Sequence, residues 1–256
     1  MDYSKILSST VQDIKPSGIR KFFDLLENMQ GVVALTVGQP DFITPWHIRV
    51  AAIESLENGK TYYTSNSGTL ELRQEISSYM NRRYDLTYDP KSEVIVTVGG
   101  SEAIDIAIRA LINPGDEVIV PQPAFVCYGP ICELAGGKPV YLNTKEENRF
   151  KLTADELKSV ITDKTKLLVL PYPNNPTGGV MTREQLIAIA QVLMDTDIVV
   201  ISDEIYSELT YGRNHVSIAS MPGMKERTIV INGFSKSYAM TGWRLGYAVG
   251  PEEIIT

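Results

Sequence analysis

Residues 228–250 read TIVINGFSKSYAMTGWRLGYAVG, and the fold class follows from how that stretch is built. Thr228 to Ile231 is a short β-branched run, the pattern of a buried strand, and Asn232-Gly233 breaks it. Lys236 therefore falls just past the carboxyl end of a strand, where open α/β sheets hold their ligands. Arg244 comes next, and Leu245 to Val249 reads as another strand. Taken singly, a lysine at a strand end is a solvated surface charge.

Working outward, the same alternation recurs along the chain. Strands are predicted at Val94–Val98, Glu117–Val120, Pro139–Leu142, Lys166–Leu170, Ile198–Ile201, Thr228–Ile231 and Leu245–Val249. Helical spacing falls between most of them, at Ser101–Leu111, Tyr128–Leu134, Ala154–Val160 and Arg183–Met194. Near-continuous apolar strands separated by helices predict an α/β fold: a mostly parallel seven-stranded sheet with helices on both faces. Upstream, the pattern predicts helices over Ile19–Met29, from Pro45 to Leu56 and over Leu70–Arg83, with a strand at Val32–Val37. No internal repeat or low-complexity linker interrupts the chain.

Composition narrows the function classes. The 256 residues are 43 % hydrophobic and 21 % charged, enough for a sizeable core. A formal net charge of −7 without any basic run argues against nucleic acid or a membrane surface as partner. No apolar run approaches a membrane span, and the polar start MDYSKILSST is unlike a signal peptide, so a cytoplasmic location is expected. Cys127 and Cys132 match no metal or redox spacing and read as free core thiols. With only His47 and His215, a histidine-rich metal site is excluded and a histidine-based triad disfavoured.

The residues just past each strand are more telling. After the first comes Gly99-Gly100-Ser101-Glu102; after the second, a segment ending in Phe125; after the fourth, Pro171-Tyr172-Pro173-Asn174-Asn175-Pro176-Thr177-Gly178. The fifth leads into Ser202-Asp203-Glu204-Ile205-Tyr206, and the sixth into Lys236. Singly these read as a helix cap, a core ring, a turn, a capping carboxylate and surface charges. In a parallel sheet, however, all these ends lie on one edge. One ligand accounts for them jointly. It has a phosphate for the helix start and Arg244, and a flat ring for Phe125. Its ring nitrogen suits Asp203, its phenolate oxygen suits Asn175 and Tyr206, and its aldehyde suits Lys236. Pyridoxal phosphate carries all five features.

The motifs Val-Gly-Gly-Ser-Glu-Ala (98–103), Asn-Asn-Pro-Thr-Gly (174–178), Ser-Asp-Glu-Ile-Tyr (202–206) and Ser-Lys-Ser-Tyr-Ala-Met-Thr-Gly-Trp-Arg-Leu-Gly (235–246) resemble those of class I/II aminotransferases of fold type I. The resemblance runs in the family's order from Ile14 to the last residue. It implies Lys236 as the Schiff-base lysine and general base, Asp203 at the ring nitrogen, and Asn175 and Tyr206 at the ring hydroxyl. Lys236, Asp203 and Tyr206 are thus the expected catalytic residues. It further implies Gly100, Ser101, Glu102 and Arg244 around the phosphate, with Phe125 on the ring. Tyr63 resembles the tyrosine that reaches the phosphate of a neighbouring subunit, which implies a homodimer. Gly38 and Asn175 would meet the substrate.

Two departures stand out. Gly233 occupies a position where many relatives carry a phosphate-binding hydroxyl, leaving Ser235 as a substitute. The chain also reaches Thr256 where family members continue into a C-terminal small domain carrying the arginine for the substrate carboxylate. The resemblance thus divides the chain into an N-terminal arm and small-domain segment (1–45), a cofactor-binding large domain (46–250) and the start of a C-terminal region (251–256). The implied reaction moves an amino group from an L-amino acid to a 2-oxo acid, with 2-oxoglutarate the expected acceptor. Similarity points to the bacterial aromatic or N-acetyl-diaminopimelate type. A C–S β-lyase shares these ring contacts, and so does a cofactor-binding fragment without full catalysis; the motifs leave both open.

Overall fold

A computed structural model describes residues 1–15, 29, 31, 33 and 38–256. The helix expected over Ile19–Met29 and the strand over Val32–Val37 lie almost entirely outside the described residues. The seven later strands form as expected: β1 (Val94–Thr97), β2 (Glu117–Gln122), β3 (Lys138–Asn143), β4 (Thr165–Leu170), β5 (Val199–Asp203), β6 (Thr228–Gly233) and β7 (Gly246–Val249). They build one sheet in the order β1-β7-β6-β5-β4-β2-β3. Every pairing is parallel except those of β7, which runs antiparallel to both β1 and β6.

The α-helices among the described residues are α1 (Ser9–Asp13), α2 (Trp46–Glu57), α3 (Leu70–Tyr84), α4 (Gly100–Leu111), α5 (Tyr128–Leu134), α6 (Ala154–Val160), α7 (Arg183–Leu193) and α8 (Glu252–Ile255). The continuous apolar runs of the central strands are explained by what covers each face. Successive side chains point to opposite faces of a strand. In β4, Leu168 and Leu170 pack with Leu157 of α6 and Leu186 and Ile189 of α7. Leu167 and Val169 pack on the other face with Ile104 and Ile108 of α4 and Tyr128 and Cys132 of α5. At the β7 side, Val230, Tyr247 and Val249 meet Ile76 and Met80 of α3. Burying one such side chain contributes roughly 1.5–3 kcal/mol, so the two-sided cover is the main stabilising term.

Helix starts obey their capping chemistry. Thr69, Thr153 and Thr182 accept from backbone N–H groups at the starts of α3, α6 and α7, the last two in reciprocal boxes with Glu156 and Gln185. The start of α4 has no side-chain cap; Gly99 precedes it with φ +80°. Its first N–H groups are left for something else.

Candidate active site

The strand ends converge as the parallel order requires, with one addition. Because β7 runs antiparallel, its beginning rather than its end lies at the carboxyl edge of β1 and β6, with Thr97 opposite Gly246 and Gly233 opposite Gly246. That brings Arg244 to the shared edge.

The first part of the site is a tight cradle around the start of α4. A Cβ on Gly99 would run into the Arg244 guanidinium, so that side chain lies directly over the helix start. Arg244 is held by a backbone at φ +53° and by donation from Nη1 to the Thr241 carbonyl at 3.0 Å. A helix N-terminus under a guanidinium favours an anion. Gly100 forms the first turn, Ser101 is exposed beside it, and the Glu102 carboxylate accepts from the Val98 N–H, closing the loop from the β1 side. Gly233 is explained by crowding: a Cβ there would lie 3.0 Å from both Gly246 Cα and Leu245 O. A side chain at 233 would require these neighbours to give by a few tenths of an ångström. Ser235 is buried, and its carbonyl accepts from Met240 N–H.

The second part is the amine and its surroundings. Lys236 Nζ donates to the Gly38 carbonyl at 2.6 Å, bridging residues 198 apart in the chain. Thr44 supports that docking by donating to the Ala239 carbonyl at 2.6 Å. The lysine is half-buried, and burial, then the Arg244 charge, lowers its pKa from the ordinary 10.5. Its Nζ lies 5.8 Å from the centroid of the Tyr206 ring. The Tyr206 hydroxyl accepts from Asn175 Nδ2 at 3.4 Å, and burial followed by the Asp203 charge raises this phenol. The two asparagines of the motif divide the work. Asn174 folds the loop by accepting from Thr177 N–H and Oγ1, which leaves Asn175 directed to Tyr206.

The third part is a buried carboxylate. Asp203 ends β5 at 7 % exposure, and Oδ1 accepts from the Ile205 N–H at 3.2 Å. Its other oxygen accepts from the Tyr128 hydroxyl at 2.7 Å. Burial raises the carboxyl's pKa and the Tyr128 bond opposes that rise, so a cation placed beside it would be strongly welcomed. The motifs alone did not reveal Tyr128. The available signal was a phenol at the start of a short, mostly apolar helix, three residues after Phe125. Tyr128→Phe is expected to leave Oδ2 without a donor and destabilise the chain by about 2 kcal/mol near neutral pH. It should also raise the pKa of Asp203 further; chemical denaturation measured against pH reads both.

The remaining predicted residues are placed less tightly. Phe125 is partly exposed in the loop between β2 and α5, edge-on to Tyr128 at 6.2 Å. Tyr63 is fully exposed and touches no part of its own chain's site. Cys127 and Cys132 are free; burial pushes both thiols up, Cys132 to about 12. Among the described residues no cluster of ligating side chains suits a metal ion, and no helix is long and apolar enough to cross a membrane. The site offers an anion cradle, an amine of lowered pKa, a phenol–amide pair and a buried anion along one sheet edge. That donor set fits a phosphorylated ring that carries an aldehyde and a basic nitrogen.

Fold and edge together define a large-domain α/β architecture of the fold-type-I kind. Comparison with known proteins makes this specific: the family described as "Aminotransferase class I and II" matches residues 30–256, and the chain belongs to it. YugH of Bacillus subtilis (strain 168) is 56 % identical over 245 residues, covering 96 % of this chain and 64 % of that protein. The aspartate aminotransferase of Pyrococcus abyssi is 46 % identical, covering 97 % of this chain and 64 % of its own length. The solved structure of the aromatic aminotransferase from Pyrococcus horikoshii OT3 superposes with a TM-score of 0.86 at 47 % identity, over 91 % of this chain and 63 % of that one. The chain thus spans 64 % of the length of YugH and of the Pyrococcus abyssi protein.

Proposed function

We propose that the chain is the catalytic large domain of a pyridoxal-phosphate-dependent aminotransferase, transferring the amino group of an L-amino acid to a 2-oxo acid such as 2-oxoglutarate. The observation that carries this reading is the half-buried Lys236 amine beside the Tyr206–Asn175 pair, with Asp203 and the Arg244-covered start of α4 at the same sheet edge. When bound, the cofactor supplies an aldehyde for an amine and a ring that draws off the electron pair left at the substrate's Cα.

The chain's own residues do the rest. The Arg244 guanidinium and the free N–H groups of α4 hold the phosphate. Asp203, anionic and shielded, keeps a proton on the ring nitrogen by raising that nitrogen's pKa. Asn175 and Tyr206 hydrogen-bond the ring oxygen, and Phe125 covers one ring face. Lys236 would be the amine that takes the cofactor's aldehyde and, when free, the base for the proton at the substrate's Cα. Gly38 and Asn175 face the substrate. Tyr63, exposed in one copy, is assigned to the phosphate of a second copy in a homodimer.

The lowered pKa of Lys236 gives a testable sign. A base with a depressed pKa loses its proton at lower pH, so borohydride trapping of pyridoxal phosphate on Lys236 should rise with pH through a midpoint below 10.5. It should level off before ordinary lysines react; peptide mapping of the trapped label checks this. A decisive test of the reaction supplies donor amino acids singly and follows the bound cofactor's absorbance, then adds 2-oxoglutarate. Aspartate and aromatic donors come first, because relatives of similar identity are named for one or the other. Amino transfer to 2-oxoglutarate supports the reading. Pyruvate release from cystathionine without transfer replaces it with a C–S β-lyase.

A further inference from the structure

The turn after β5 places Asp203 and Tyr206 at the site within four positions, and no regular helix follows to stiffen it. What holds it lies on the opposite face of the sheet. Side chains alternate along a strand, so Ser202 points away from Asp203, and Glu204, just past the strand, joins Ser202 there. Glu204 is 1 % exposed. Its Oε1 accepts from Ser202 Oγ at 2.9 Å and from Ser217 Oγ at 2.6 Å. Its Oε2 lies 2.8 Å from His215 Nε2, and the imidazole is itself enclosed, edge-on to the Tyr84 ring at 5.7 Å.

The backbone is pinned at the same place. Glu204 N–H donates to the Ile231 carbonyl of β6, and Ser207 N–H donates to the Glu204 carbonyl. Asn232 Nδ2 donates to Ser207 Oγ at 3.0 Å, and Glu208 takes Arg83 through two 2.9 Å bonds and the Tyr79 hydroxyl at 2.6 Å. A buried carboxylate–imidazole pair is a weak source of stability compared with apolar packing of the same volume. Its geometric effect is direct: it nails the residue between Asp203 and the Tyr206 turn to three neighbours of fixed position.

We propose that Glu204 is a positioning residue, which holds the Asp203–Tyr206 turn from behind the sheet and thereby sets how the Asp203 carboxylate meets the ring nitrogen of the cofactor. The proposal rests on the pyridoxal-phosphate reading above. Among the described residues His215 meets Glu204 directly, and Tyr84 of α3, Tyr88 and, in β7, Tyr247 lie within reach of its charge, as does its chain neighbour Asp203, whose side chain points the other way. After burial, the Glu204 charge is among the causes that raise these three phenols and Asp203.

Glu204→Gln keeps the volume but sets an amide NH₂ against one of three donors. Three quantities are measured on the variant and the unaltered chain: affinity for pyridoxal phosphate, the pH midpoint of the bound cofactor's absorbance, and thermal unfolding without cofactor. Affinity is expected to fall about tenfold or more, as for buried donors left unpaired. The pH midpoint should move up, because a ring nitrogen less well held by Asp203 keeps its proton less and withdraws less from the lysine nitrogen. A lower melting temperature with unchanged affinity and midpoint overturns the proposal. If the glutamine variant does not fold, Ser217→Ala removes one donor from the same oxygen. It must shift both cofactor readouts in the same directions, and unchanged values overturn the proposal. An unaltered chain that takes up no pyridoxal phosphate at Lys236 removes the underlying reading and the proposal together. An inert Glu204 variant of a cofactor-binding chain removes only the proposal.

Discussion

Lys236→Ala is expected to abolish turnover while leaving the fold intact. The only hydrogen bond of the amine among the described residues is to the Gly38 carbonyl at 2.6 Å, and the side chain is half-buried rather than part of a core cluster. Truncating it removes little packing and frees a carbonyl that water reaches. Stability should therefore change by less than about 1 kcal/mol, the scale of one partly exposed hydrogen bond. The chemistry has no substitute, because among the described residues no other lysine amine sits against the Tyr206 ring. Loss of a positioned general base alone lowers the rate about 10²- to 10⁴-fold, and loss of the covalent attachment adds to it. Pyridoxal phosphate should still bind through the Arg244 cradle and Asp203, but borohydride should fix none of it at position 236. Normal turnover by the alanine variant, or label trapped equally on another lysine of both proteins, would remove Lys236 from its assigned role.

The second large effect is structural and comes from a residue without a side chain. A Cβ on Gly246 would lie 2.5 Å from the Gly100 nitrogen and 2.8 Å from Gly99 Cα, and would overlap the Gly99 carbonyl carbon. These are backbone atoms of the α4 start, which is tied through β1 to the pairing of Thr97 with Gly246 itself. Neither side can yield without opening the β1–β7 pairing or lifting α4. Gly246→Ala is therefore expected to destabilise the chain by about 3 kcal/mol, the upper part of the range for overpacking. It should weaken phosphate binding as well, since the displaced atoms are those that face the anion. Gly242→Ala is the control: nothing lies within 4 Å of its would-be Cβ, and the turn should tolerate it. Urea unfolding of both variants, with cofactor affinity measured on whatever folds, gives the comparison. Equal stability of the two would show that the α4 start is free to move.

Much of this was legible because the local patterns are strong and agree. The apolar runs at Val94, Leu167, Val199 and Thr228 are short and bounded by polar or turn-forming residues, so strand positions could be read with little ambiguity. The motif residues at strand ends could be grouped because a parallel order leaves one edge for all of them. Contacts made across the sheet were not legible. Tyr128 reaches Asp203 from α5, and Glu204 is met by Ser217 and His215 from a loop, through separations with no periodic trace. Gly233 read as a position without the phosphate-binding hydroxyl, and the structure adds that β6 and β7 approach closely there.

By itself the amino-acid order determined the alternation of strands and helices, the chemistry carried at each strand end and the family those motifs resemble. These depend on side-chain period, turn residues and composition, which are local. Only the tertiary structure decided the direction of β7. In a parallel strand Arg244, two residues before Gly246, would lie at the far edge, away from Lys236. Antiparallel pairing with β1 and β6 turns that strand around and lays Arg244 over the start of α4. Strand direction is set by how the chain returns to the sheet and by which hydrogen-bond ladder its neighbours leave unpaired. Neither is written in the residues of the strand itself.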